Sequence, residues 1–246
     1  EMCIRDRIEE IPPAGQLAIG VVLTALFVKA GAAPVHGWLV RSYPNTSAGM
    51  MALFSGLHTK VALYAIYRVY SSVFVEPPVW SWVVAVIVVV TILLAVLSAF
   101  GEIRVRNVLA FQMVSGVGHI LIGVVLMSAA ALSAGTFYLT HHIITMAGLL
   151  LTMGAVEQTY GTGAFKKLSG VAGREKWATV LMVVGLFSLI GLPPTSGVWG
   201  KIGLIRASAA DESVLGPVLI GAVILGSLIS ILALQRLWAN SFWGEP

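Results

Sequence analysis

The chain has 246 residues, 58% of them hydrophobic and only 11% charged, with a formal net charge of +4 and a mean hydropathy of +0.92. A water-soluble fold, in which about a quarter of the residues carry charge, is excluded. Nucleic-acid binding is excluded too, because the basic residues are scattered between apolar runs and form no patch with interleaved aromatics.

In chain order, Glu1 to Glu10 carries six charges and abuts an apolar run without the basic region and cleavage site of a signal peptide. It reads as a foreign scar, and the natural N-terminus is expected to be missing. Cys3 is the single cysteine, so no intramolecular disulfide and no thiolate cluster can form. No metal site and no cofactor are predicted.

Seven apolar runs follow, at 14–40, 47–70, 79–101, 107–128, 134–156, 177–206 and 214–238. About 20 apolar residues cross a hydrocarbon core as a helix, and unbroken apolar runs favour helices over alternating barrel strands. The prediction is an all-α polytopic membrane protein with seven transmembrane helices. Trp38, Trp80, Trp82, Trp177, Trp238 and Trp243 fall near run ends, as interfacial anchors do. One set of alternate connections holds Arg41, Arg104, Arg106, Lys166, Lys167, Arg174, Lys176 and Arg236, whereas the other holds Arg68 and Arg206. The basic side is the cytoplasmic one, which puts loops 39–46, 102–106 and 157–176 and the C-terminus in the cytoplasm.

Three lysines stand inside these runs: Lys29, Lys60 and Lys201. Each costs about 2.5 to 3.5 kcal/mol at a membrane centre, and three together cost on the order of 8 to 10 kcal/mol if uncompensated. Snorkelling is the alternative, strongest for Lys201; charge at membrane depth otherwise marks function. Lysine suits proton transfer because a desolvated ammonium can release its proton, which a guanidinium does not. His36, His58, His119, His141 and His142 also lie in or beside the runs, as relays or as hydrogen-bonded packing residues. Neighbours on a helix point about 100° apart, so His141 and His142 face different directions, and His142 is the preferred relay. His58 and His141 are kept as further relays. Pro34 and the pair Pro193, Pro194 interrupt the first and sixth runs, and backbone freed at membrane depth must be satisfied by a cavity or by neighbouring protein. Paired broken helices are a sign of a transport site, with a simple kink as the alternative. Haem ligation by facing histidines would leave the lysines unexplained.

The segments Lys29-Ala-Gly-Ala-Ala-Pro-Val-His-Gly-Trp38, Leu53-Phe-Ser-Gly-Leu-His-Thr-Lys-Val-Ala-Leu-Tyr64, Ile103-Arg-Val-Arg-Asn-Val-Leu-Ala-Phe111 and Gly191-Leu-Pro-Pro-Thr-Ser-Gly-Val-Trp-Gly-Lys201 occur in an order that resembles the antiporter-like subunits of Mrp-type cation/proton antiporters and respiratory complex I. The resemblance covers the chain beyond the first ten residues. It implies about fourteen helices in two inverted five-helix repeats, of which this chain would hold helices seven to thirteen. Residues 11–70 would end the first repeat and 79–240 would form the second. It implies that Lys29 is the central lysine of a broken seventh helix, Lys60 the connecting lysine of the eighth and Lys201 the terminal one of a broken twelfth. The partner glutamate of the fifth helix would lie upstream of this sequence. Met146 stands where many relatives place a lysine four residues after the histidine corresponding to His142, so the path here would pass through Lys60, water and His142. The function implied is that of the D-type subunit of an Mrp-type Na+/H+ antiporter in a bacterial or archaeal inner membrane. Its partners would be other membrane subunits, the lipid bilayer, protons and Na+. A proton-pumping subunit of complex I or of a membrane-bound hydrogenase is the alternative; in both cases the chain is no enzyme by itself.

Overall fold

The structure, a computed structural model, describes residues 12–74 and 80–244; the reading of residues 1–10 as a scar lies outside them. Among the described residues there are eleven α-helices: α1 (Pro13–Ala30), α2 (Gly37–Ser42), α3 (Ala48–Leu53), α4 (Thr59–Val73), α5 (Ser81–Ser98), α6 (Val105–Leu126), α7 (Ala129–Tyr160), α8 (Val171–Arg174), α9 (Lys176–Ile190), α10 (Ser196–Ala209) and α11 (Leu215–Ser241). None of the described residues forms a strand beyond an isolated bridge between Arg104 and Ala164. Four segments, Ser81–Gly101, Val105–Leu126, Ala129–Tyr160 and Leu215–Ser241, are long and apolar enough to cross a membrane unaided. The other three predicted spans are each divided into shorter helices.

Local chemistry dictates where they divide. Gly31 adopts φ 77°, closed to most side chains, and the N–H groups of Gly31 and Ala32 turn back onto Val28 O and Phe27 O, ending α1 as a left-handed C-cap does. Pro34 then denies the chain a donor, and α2 restarts at Gly37. The sixth run repeats the device: Gly191 has φ 90°, its N–H and that of Leu192 bond Phe187 O, and Pro193 and Pro194 separate α9 from α10. The division of the second run was not predicted. Phe54–His58 forms a π-helical turn between α3 and α4, a widening often found at functional positions.

The apolar core falls into two clusters stacked end to end. One holds Met51, Ala52, Val114, Met146, Ile190 and Ala233, the other Ala62, Val117, Tyr138, Leu204 and Val223. Helices α5, α6, α7 and α11 pass from one cluster to the other, and the residues near the seam are polar and buried: Ser115 and His119 on α6, His141 and His142 on α7 and Ser230 on α11, with Lys60 at the start of α4 and Lys201 on α10 beside them. Helix α6 runs through the middle, with 94% of its apolar window buried against 39% for α11. Beyond the first cluster, Arg106 pairs with Glu157 at 2.8 Å and donates to Thr46 O, tying the α2–α3 connection to the ends of α6 and α7. Trp38, predicted as an interfacial anchor, is instead half-buried at the first break, its indole N–H donating to Val28 O at 2.9 Å.

Candidate functional site

The seam is the candidate site. Lys60, the second residue of α4 after the π turn, is 3% exposed; its Nζ has no protein partner. His142 faces it from α7, fully buried, with the Gln112 backbone beside its ring and with Lys60, His141 and His119 within electrostatic reach. Gly116 makes room for this imidazole, since a Cβ there would lie 1.9 Å from His142 Nε2. The ring of Tyr138 stacks on His119 at 5.2 Å and lies 5.3 Å from His141 and 6.1 Å from His142, so one tyrosine sits among three imidazoles.

Lys201 lies at the far end, 7% exposed. Its ammonium donates to Ile190 O at 2.6 Å and to Ser227 Oγ at 2.8 Å. Ile190 is the last residue of α9, so the cation caps a free carbonyl at the negative end of a half-helix, a favourable placement. It does not snorkel. A Cβ on Gly191 would sit 3.0 Å from Lys201 Cδ, so that glycine serves both the turn and the lysine stem.

Lys29 is placed differently. It occupies the last turn of α1, beside the first break, but on the exposed outside of the chain. His58, in the π turn, is also exposed; its Nδ1 is 2.9 Å from Tyr43 Oη, and Lys29 is within its electrostatic reach. Pro34, Pro193 and Pro194 are exposed within the two breaks. The structure therefore brings Lys60, His142, His141 and Lys201 into one layer and leaves Lys29 and His58 at its outer edge. His36 and His119, read as packing residues, differ in degree. His119 Nδ1 is hydrogen-bonded to Ser115 O at 2.9 Å, yet its Nε2 is buried without a protein partner and it belongs to the layer.

Sequence reasoning missed the neutral members: Tyr138, Gln112, Ser115, Ser188, Ser227 and Ser230. Ser230 Oγ donates to Gln112 Oε1 at 3.1 Å in the buried layer. The available signal was weak, namely single polar residues facing small residues in otherwise apolar helices. Among the described residues no group of three or more His, Cys, Asp or Glu is placed to hold a metal ion.

Long apolar helices, together with divided ones that bring buried lysines beside buried histidines, define a polytopic, multi-pass membrane protein. The chain belongs to the family described as NADH:quinone oxidoreductase/Mrp antiporter, TM, whose model matches residues 13–230. It is 32% identical over 243 residues to the D-type subunit of the Na(+)/H(+) antiporter of Alkalihalophilus pseudofirmus, covering 97% of this chain and 48% of that protein. Among solved structures it is similar to a chain of the Mrp complex from Dietzia sp., with TM-score 0.89, 43% identity and coverage of 95% of this chain and 43% of that one. Respiratory complex I from Thermus thermophilus shares the fold, with TM-score 0.84 and 20% identity over 97% of this chain and 50% of that one. The chain thus spans about half the length of the relatives it matches.

Proposed function

We propose that the chain is part of a membrane subunit of a monovalent cation/proton antiporter, and that it conducts protons between the two breaks along Lys29, Lys60, His142 and Lys201. The observation that carries this reading is the seam. Helices α6, α7 and α11, which cross from one apolar cluster to the other, place buried polar side chains between the clusters, and α4 and α10 bring buried lysines beside them. Structural packing alone gives no reason to accept that cost. Imidazoles and amines can each take up and release a proton, and their spacing along the layer lets one group's charge act on the next.

The antiporter reading is supported by the relatives named as D-type antiporter subunits, and assembly with other membrane subunits follows from it. Lys29, on the outside of the chain, is the point at which adjoining protein would meet the layer. The basic connections at 39–46, 102–106 and 157–176, with the C-terminus, would face the cytoplasm. Residues 11–70 and 79–240 would belong to two successive repeats.

The test measures Na+-dependent proton flux in everted vesicles carrying the complete gene product in its complex, with wild type compared against Lys29→Ala and Lys201→Ala. Both substitutions are expected to abolish exchange. Flux that appears only with an electron donor would replace the antiporter by a redox-driven pump, and flux indifferent to both substitutions would remove the lysines from the path.

A further inference from the structure

A ring of hydroxyls at the second break adjoins the lysine and histidine layer but is not one of its steps. His141 Nδ1 lies 2.9 Å from Ser196 Oγ and 3.3 Å from Thr145 Oγ1. Thr145 Oγ1 in turn donates to Ser188 Oγ at 3.4 Å, and Ser188 Oγ lies 3.4 Å from Ser196 Oγ. These four side chains come from three helices, α7, α9 and α10, and they close across the gap between the two half-helices. Their exposure is graded: His141 and Ser188 are buried, Thr145 is half-buried and Ser196 is exposed on the outside of the chain. The close approach is built in, since a Cβ on Gly197 would lie 1.8 Å from Ser188 O and 3.1 Å from His141 Nε2.

We propose that this ring is a lateral proton port, joining the buried imidazole layer to the surface of the chain at the α9–α10 break, with His141 as its inner station and the Ser196 hydroxyl as its outer one. The inference rests on the proton-conducting reading above. Each hydroxyl both donates and accepts, so a proton delivered to Ser196 Oγ from outside forms a new O–H bond. The original O–H bond then breaks as its proton passes to His141 Nδ1. The imidazolium so formed gives up the proton on Nε2 to the layer, which leaves a neutral imidazole in the Nδ1–H tautomer; reorientation of the ring resets it to Nε2–H before the next transfer. Nε2 is buried and has no protein partner, leaving it free for that second transfer. Thr145 and Ser188 hold the parallel branch of the ring and fix the imidazole orientation, as positioning residues.

The groups facing His141 determine when it can load. Lys201 stands within electrostatic reach from α10, His119 from α6 and His142 from α7 itself, with the Tyr138 ring 5.3 Å away. Like charges at such separations repel strongly in a low-dielectric interior, so a charge on Lys201 opposes one on His141. The port and the Lys201 end of the layer would therefore be occupied alternately.

The experiment compares hydroxyl-deleting with hydroxyl-keeping variants in the complete gene product within its complex. Thr145→Val and Ser196→Ala remove the hydroxyls with little change of shape, whereas Thr145→Ser and Ser196→Thr retain them. Proton flux in everted vesicles is expected to fall about tenfold or more in Ser196→Ala and in His141→Gln, in the range lost with a proton-transfer group, and to return close to wild type in Ser196→Thr. In the Thr145 pair the Val variant is expected to shift the pH profile and the Ser variant to restore it. A cysteine at Ser196→Cys, with Cys3→Ser as background, is expected to react with a membrane-impermeant thiol reagent. Wild-type flux in Ser196→Ala and His141→Gln, or equal loss in Ser196→Ala and Ser196→Thr at normal protein level, would overturn the port. Absence of any proton flux in wild type would overturn the conducting reading and the port with it.

Discussion

The two breaks use the same backbone device for different ends. At the first, Gly31 in the left-handed region stops α1, a tryptophan N–H joins the Gly31 N–H on Val28 O, and the lysine of that helix points to the outside of the chain. At the second, Gly191 stops α9 and the lysine itself satisfies the freed carbonyl, Ile190 O, from within the core. A neutral cap at one break leaves its cation available to an adjoining surface. A charged cap at the other makes its cation part of the fold.

The largest effect is expected where backbone meets backbone. Gly197→Ala puts a Cβ 1.8 Å from Ser188 O, which no side-chain movement relieves, and should destabilise the protein by about 3 kcal/mol or more, read as a loss of folded protein in detergent size-exclusion chromatography. At the first break, Gly31→Ala meets the flexible end of Leu39 at 2.6 Å. Its cost is therefore mainly that of the left-handed backbone, about 1–2 kcal/mol, seen as a smaller fall in thermal midpoint. If the two alanines cost the same, the breaks are not packed differently.

The lysines sharpen the comparison further. Lys201→Met orphans Ile190 O and should cost about 1–3 kcal/mol, whereas Lys29→Met, on an exposed position, should stay within about 0.5 kcal/mol. Both are expected to abolish flux, so thermal unfolding and transport measured on the same preparations separate structural from conducting roles. Between these two lies Trp38→Phe, which loses the hydrogen bond to Val28 O and should cost about 1 kcal/mol. A thermal midpoint unchanged from wild type would show that the Gly31 N–H, which also donates to this carbonyl, suffices for it.

Much of the architecture was legible beforehand because bilayer physics writes directly into composition. Long apolar runs, prolines next to glycines and lysines where none should be tolerated are local features, and they gave the helical class, both breaks and the identities of Lys60, Lys201 and His142. Helix α7 reads correctly as one element since nothing in Ala129–Tyr160 interrupts it. The π turn at Phe54–His58 left only the weak mark of the Ser55–Gly56 pair, because such a pair is tolerated in an ordinary α-helix and the extra residue is accommodated only against neighbouring helices.

What the sequence by itself determined, then, was which polar residues enter the membrane and where the chain must break, both set by the cost of unsatisfied charge and backbone in hydrocarbon. Only the tertiary structure decided which of them meet. Lys60 faces His142 across helices, Lys201 bonds a carbonyl eleven residues earlier, and Ser196 reaches His141 from fifty-five residues away. Such pairings depend on helix rotation and on glycines such as Gly116 and Gly197, which act by admitting a neighbour. Whether a glycine is spare or indispensable depends on what packs against it, and a single sequence does not contain that information.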